Sequence, residues 1–190
     1  MMRDFKVNFT EKEISSAYQK IKDYPWDTMP DLDGWEHGTN KKYLKELCDY
    51  WVSEFDWHKH EKQINNFENF ITNVEGTDIH FIKKKGSNPN STPLLLMHGW
   101  PGSVIEFLEI IDKLASPEKY GADTKNSFDV IVPSLPGFGF SGKPIKPIGP
   151  RKMAEVLNKL MIENLGYKDY MAQGGDWGAT IANWIAYDHS

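Results

Sequence analysis

The sequence has little cysteine, no histidine pattern typical of a metal site and no concentrated positive charge. Its one cysteine, Cys48, excludes an internal disulfide framework and a cysteine zinc site, because each needs at least two thiols. The six histidines show no metal-motif spacing, so we expect neither a metal nor a cofactor. The lysines are dispersed and the net charge is −5, which argues against nucleic acid as a partner.

Long apolar runs are also missing. No segment approaches about 18 consecutive apolar residues, and the N-terminal residues do not resemble a signal peptide. We therefore expect a soluble, cytoplasmic protein without a membrane anchor. What is present is an ordinary globular mixture of 39% hydrophobic and 26% charged residues, long enough to bury a sizeable core in one or two domains.

The first part of the chain, residues 1–70, is rich in aromatic residues and has a helical pattern. Thr10 and Glu13 have the spacing of a capping box, which predicts a helix that runs to about Lys22. Apolar residues at three- and four-residue intervals predict a second helix over residues 41–55, and a third is expected over residues 58–70. We expect residues 1–70 to form a helical extension that packs on a core.

The second part, residues 71–190, begins where the apolar period changes to two. A hairpin with a turn at Gly76 is predicted first. Three compact apolar runs follow, each typical of a buried parallel strand, over residues 94–97, 130–132 and 170–172. Helical segments separate these runs. The predicted fold class is therefore α/β, with a mostly parallel sheet, a leading hairpin and the helical extension before it.

Residues 174–178 (GGDWG) carry the clearest chemical signal, because they lie between the third apolar run and a helical pattern. Their frame is that of a nucleophile elbow, and the nucleophile is Asp176 in the place that serine usually takes. A carboxylate is ionised near pH 7 and forms an ester with alkyl carbon, which favours epoxides or alkyl halides as electrophiles. The alternative is that Asp176 only caps the helix that follows.

A second motif, residues 98–102 (HGWPG), follows the first buried strand. In an α/β-hydrolase this loop supplies one backbone N–H of the oxyanion hole, and the residue after the nucleophile supplies the other. The implied pair is Trp100 and Trp177, with His98, Gly99 and Pro101 as the supporting loop. His98 could instead be a catalytic base. A third motif, residues 133–141, is predicted to be a sharply turned loop.

With these motifs in this order, the sequence resembles the epoxide hydrolases of the α/β-hydrolase fold, most closely their microsomal-type branch. Residues 35–39 (WEHGT), 55–57 (FDW) and 79–82 (IHFI) look like the helical extension of that branch. The resemblance implies that Asp176 opens a small-molecule epoxide through an alkyl-enzyme ester, which water then cleaves to a diol.

The resemblance also implies residues that the chain does not supply. The family's histidine base and its acidic partner follow the nucleophile, whereas here only Asp188 and His189 do so, at the end of the next helix. The family's lid tyrosines lie later still. We expect a truncated or split epoxide hydrolase, inactive alone, that associates with a complementary C-terminal fragment or with itself. The alternatives are a haloalkane dehalogenase-like enzyme, with halide bound by the Trp177 indole, and a non-catalytic remnant.

Overall fold

A computed structural model describes residues 1–30 and 34–189, which divide into two compact units. One unit contains Met1–Lys6 and Gln63–Ser190, and the other contains Val7–Lys62. Within the described residues no helix combines the length and the apolar character needed to cross a bilayer. The predicted division into residues 1–70 and 71–190 stays a prediction.

The smaller unit is helical. Its helices are α1 (Glu11–Lys22), α2 (Lys41–Ser53) and the first part of α3 (Trp57–Asn65). The predicted capping box begins α1, since Thr10 Oγ1 accepts from the Glu13 N–H at 3.3 Å and Glu13 Oε2 accepts from the Thr10 N–H at 2.9 Å. The predicted end of the third helix at residue 70 is wrong, because the chain from Glu68 onward forms a strand.

The larger unit is built on a six-stranded sheet with the order β1-β2-β3-β5-β4-β6. Its strands are β1 (Arg3–Phe5), β2 (Glu68–Val74), β3 (Thr77–Lys84), β4 (Thr92–Met97), β5 (Phe128–Pro133) and β6 (Met171–Gly174). The predicted hairpin is β2–β3, and the first two predicted buried runs lie in β4 and β5. The third run, residues 170–172, overlaps β6, but its expected burial is wrong: Met171 is 56% exposed, because β6 is the outer strand beside β4 among the described residues. The α/β fold class is confirmed.

The sheet is mixed, and the expected parallel majority is wrong. Among the described residues, β4–β5 and β4–β6 are parallel, whereas β1–β2, β2–β3 and β3–β5 are antiparallel. Two antiparallel pairs occur besides the predicted hairpin. Strand β1 was not predicted, and the hairpin joins the parallel strands through an antiparallel contact with β5.

The larger unit also contains three further helices, the last of which follows β6, and several short helical turns. The helices are α4 (Leu108–Ala115), α5 (Pro150–Lys159), which a wider turn extends over Leu160–Asn164, and α6 (Trp177–Asp188). Residues of β4, β5, α5 and α6 share one apolar core, in which Leu95, Ile131, Leu157 and Ile181 are fully buried. The unbroken apolar runs 94–97 of β4 and 130–132 of β5 follow from this burial on both faces.

His80 is a fully buried polar residue of β3 that joins three parts of the sheet. Its Nε2 lies 3.0 Å from Asn69 Oδ1 in β2, and its Nδ1 lies 2.9 Å from Ser134 Oγ, just after β5. Burial lowers the pKa of this imidazole to about 4, because the charged form would lose its hydration. His80 is therefore neutral in the folded protein at pH 5 and above.

We predict that this histidine makes folding acid-sensitive. In the unfolded chain an imidazole binds a proton below about pH 6.5, whereas folded His80 does so only near pH 4. The unfolded state therefore gains protons first, and the free energy of unfolding should fall between these pH values, by about 2 kcal/mol from pH 8 to pH 5. Urea unfolding at both pH values measures this. His80→Gln should reduce the dependence, and an unchanged pH dependence in that variant would contradict the assignment.

Candidate active site

The nucleophile elbow is formed as its sequence predicts. Strand β6 ends at Gly174 and helix α6 begins at Trp177, with Asp176 in the turn between them at φ 50° and ψ −120°. A positive φ is rare for a side chain other than glycine, and such residues cost on the order of 1–3 kcal/mol. Asp176 is at the N-cap position of α6 but makes no side-chain capping bond there, which argues against the capping alternative.

Two glycines allow the backbones around Asp176 to approach one another. A Cβ atom on Gly178 would lie 2.1 Å from the Met97 carbonyl oxygen at the end of β4. A Cβ atom on Gly99 would lie 2.5 Å from Asp176 Cβ. Neither distance is possible between nonbonded atoms. The start of α6 and the loop after β4 can therefore meet only because both positions lack a side chain.

The predicted oxyanion-hole donors face the carboxylate. The Trp100 N–H donates to Asp176 Oδ1 at 2.9 Å. The Trp177 N–H, in the peptide group directly after Asp176, interacts with the same carboxylate electrostatically. These two backbone N–H groups, Trp100 first, lower the pKa of the exposed Asp176 carboxyl below its ordinary value. Both residues are exposed, Trp100 by 67% and Trp177 by 38%. The backbone groups, and not the rings, make the contact.

His98 lies beside this site without bonding to Asp176. It is fully buried, its Nε2 accepts from the Leu135 N–H at 3.1 Å, and its Nδ1 is 2.9 Å from the Gly99 carbonyl oxygen. Burial lowers the pKa of this imidazole, and the Gly99 carbonyl and the Glu106 charge offset only part of that effect. Both ring nitrogens are occupied, which favours the supporting role over that of a catalytic base. Pro101, the remaining loop residue, is exposed and follows Trp100 through a cis peptide bond.

The donor to His98 is the part of the site that sequence reasoning missed. Leu135 lies in the loop that follows β5, which its prolines and glycines marked only as a sharp turn. Its contribution is a backbone N–H, so the residue type carries no signal. The contact also spans 37 positions in sequence, and only the folded sheet brings the two groups together.

Asp188 and His189 are separated from Asp176 by the whole of α6. That helix has 12 residues and so rises about 18 Å between its ends. The Asp188 carboxylate accepts two bonds from the Arg151 guanidinium, both at 2.8 Å, and this pairing lowers its pKa. The structure therefore does not bring these two residues to the nucleophile.

Comparison with known proteins agrees with the fold. Residues 92–190 match the family description "alpha/beta hydrolase fold", so the chain has the class of fold that its elbow and oxyanion loop define. Residues 2–107 match "Epoxide hydrolase N terminus". The chain belongs to the epoxide hydrolase family.

Individual relatives are matched over nearly all of the chain. It is 39% identical to epoxide hydrolase 1 of Oryctolagus cuniculus over 97% of its length and 42% of that protein. It is also 39% identical to juvenile hormone epoxide hydrolase 1 of Ctenocephalides felis, over 95% of the chain and 39% of the relative. The crystal structure of juvenile hormone epoxide hydrolase from the silkworm Bombyx mori aligns with a TM-score of 0.83 and 34% identity, covering 99% of this chain and 45% of that one. The chain thus spans less than half the length of these relatives.

We predict that the elbow tolerates alanine at one glycine and not at another. Gly178→Ala places its Cβ against the Met97 carbonyl and should cost about 1–3 kcal/mol through overpacking. Gly175→Ala is the matched control, since nothing lies within 4 Å of the place its methyl group would take and its φ is not positive. Its effect should stay within about 0.5 kcal/mol. Chemical denaturation measures both, and equal losses would contradict the close-approach argument.

Proposed function

We propose that this chain carries the nucleophilic half of an epoxide hydrolase active site. The Asp176 carboxylate attacks an epoxide carbon, a C–O ester bond forms, and the ring C–O bond breaks. The released alkoxide takes a proton, and water then cleaves the ester to a vicinal diol and returns the carboxylate. The observation that carries this proposal is the Trp100 N–H held 2.9 Å from Asp176 Oδ1 at a nucleophile elbow.

The hydrogen bond from Trp100 gives the two oxygens of the Asp176 carboxylate different roles. Trp100 holds Oδ1, which leaves Oδ2 to attack the electrophile. In the ester Oδ1 becomes the carbonyl oxygen, and its negative charge returns when water adds to the carbonyl carbon. Donors already in place favour that second, hydrolytic step most, because charge develops on the atom they face.

The family match supports epoxides over alkyl halides as the substrate class. The dehalogenase-like alternative shares the elbow and would use the Trp177 indole as a halide donor. The epoxide hydrolase description covers residues 2–107, which include the extension and the oxyanion loop. No observation in the described residues favours halide binding at the exposed Trp177 ring.

We further propose that the described residues do not supply the base for ester hydrolysis. His98 has both ring nitrogens engaged by Leu135 and Gly99. His189 follows the far end of α6, and Asp188 pairs with Arg151 instead of orienting His189. A water-activating base contributes about 10²–10⁴-fold, so its lack should slow hydrolysis by that factor and let the ester accumulate.

The resulting prediction is a stoichiometric adduct without turnover. Purified chain incubated with a styrene-oxide-type epoxide should gain at most one epoxide mass per molecule, located on Asp176 by peptide mass spectrometry. Asp176→Asn is the control. It should gain no epoxide at position 176, because a neutral amide does not act as a nucleophile near pH 7. Diol that accumulates over many equivalents and is abolished in Asp176→Asn would contradict the proposed lack of a base. Adducts at other sites alone would contradict the role of Asp176.

The outer edge of β6 supports the proposed association with a complementary C-terminal fragment or with a second copy. Among the described residues, β6 pairs with β4 on one side only. Its sequence, MAQG, has neither charge nor proline, which are the usual protections of an edge strand. Met171 at its start is 56% exposed. The unpaired N–H and C=O groups of such an edge favour addition of another strand.

We predict that the isolated chain self-associates through this edge. Light scattering should show species larger than a monomer, with binding of a hydrophobic dye. Met171→Lys places a charge on the edge and should shift the distribution toward monomer. Ile145→Lys is the matched control, because Ile145 is 93% exposed and is not part of any strand. A monodisperse wild-type monomer with a cooperative thermal transition and no dye binding would refute this prediction.

A further inference from the structure

A continuous series of hydrogen bonds joins the loop after β5 to the nucleophile. The Leu135 N–H donates to His98 Nε2 at 3.1 Å, and His98 Nδ1 lies 2.9 Å from the Gly99 carbonyl oxygen. Gly99 O and the Trp100 N–H belong to one peptide group. That N–H donates to Asp176 Oδ1 at 2.9 Å. The imidazole therefore contacts the peptide group that faces the carboxylate.

The partners of His98 determine where its proton lies. A backbone N–H can only donate, so the Leu135 N–H requires a bare, accepting Nε2. A carbonyl oxygen can only accept, so Gly99 O requires a proton on Nδ1. Both demands are met by the neutral Nδ1–H tautomer. A protonated imidazole would set an Nε2–H against the Leu135 N–H, and burial opposes that form.

The geometry of a peptide group then links the imidazole to the oxyanion hole. The Gly99–Trp100 bond is trans, since the cis bond of this loop is the next one. In a planar trans peptide the C=O and N–H vectors point in opposite directions. Fixing Gly99 O toward the buried ring therefore turns the Trp100 N–H outward, toward Asp176. Glycine at position 99 gives this peptide group little steric resistance to rotation, so an external hold is needed.

We propose that His98 is a positioning residue that orients the Gly99–Trp100 peptide group, and hence the Trp100 oxyanion donor, through its Nδ1–H bond to Gly99 O. That the Trp100 N–H acts as an oxyanion donor rests on the proposed function. The bond to Gly99 acts on the site, and the bond from Leu135 acts only by fixing the tautomer.

His80 provides a matched control in the same unit. It is also fully buried, and its two ring nitrogens are also engaged, by Asn69 and Ser134. It does not bond to the Gly99–Trp100 peptide group. Replacement of either histidine removes a buried imidazole with two partners, but only replacement of His98 should change the environment of Asp176.

The test uses the 190-residue chain and two amide substitutions of equal chemistry. Asn places its NH₂ near the position of Nδ1, so His98→Asn can still donate to Gly99 O. Gln extends one bond further toward the position of Nε2, so His98→Gln can accept from Leu135 but not hold Gly99. His80→Gln is the control. The readouts are the carboxyl titration of Asp176 by ¹³C NMR and hydrogen exchange at the Trp100 amide. The tautomer of His98 is read by ¹⁵N NMR in the wild-type chain.

We expect His98→Asn and His80→Gln to keep the lowered pKa of Asp176 and a protected Trp100 amide. In His98→Gln that pKa should move toward its ordinary value near 3.9, with exchange at Trp100 faster by about tenfold. Equal behaviour of His98→Asn and His98→Gln would overturn the inference. If the variants do not fold, an Nε2–H tautomer in the wild-type chain overturns it and an Nδ1–H tautomer supports it. None of these readouts needs an epoxide, so failure of Asp176 to form an ester contradicts the proposed function alone.

Discussion

Close approach of two backbone segments holds the candidate active site together. The start of α6 lies against the end of β4, and the loop after β4 lies against Asp176, at distances that leave no room for a Cβ atom on Gly178 or Gly99. Everything else at the site follows from this contact. The strained φ of Asp176 is maintained because the flanking segments are fixed by it, and the carboxylate meets the Trp100 N–H because the loop is this near.

The electrostatics of the site come from the backbone. Two peptide N–H groups and the N-terminal end of α6 face the Asp176 carboxylate, and all of them favour its charged form. Burial, in contrast, lowers the pKa of the His98 imidazole and so favours its neutral form. The two side chains therefore have separate roles. The exposed carboxylate bears the charge, and the buried imidazole orients the Gly99–Trp100 peptide group. A charged imidazole at position 98 would lose its bond from Leu135, because Nε2 could no longer accept.

Local patterns predicted the local structure well, and long-range contacts explain where they did not. The capping box at Thr10 and the elbow around Asp176 depend on residues close in sequence, and both form where they were expected. Strand β1 has three residues and no distinctive pattern, and it exists because the backbone of β2 offers hydrogen bonds. The helix expected to reach residue 70 ends early for a related reason, since pairing with β3 overrides helical periodicity from Glu68 onward. The partner of His98 could not be read from the sequence, because any residue type at position 135 other than proline would offer the same N–H.

The exposure of the site limits what this preorganised geometry can do. A carboxylate in contact with water is stabilised by solvent as well as by the Trp100 and Trp177 N–H groups, and that solvation must be removed before an alkyl carbon can be attacked. Removing water would also strengthen each backbone hydrogen bond, because the local dielectric falls. The oriented donors therefore reach their full effect only when a further surface covers Asp176 and the exposed indole of Trp100. Trp100 then has a second role besides that of its backbone N–H, because the residue is 67% exposed and its ring can pack against that cover.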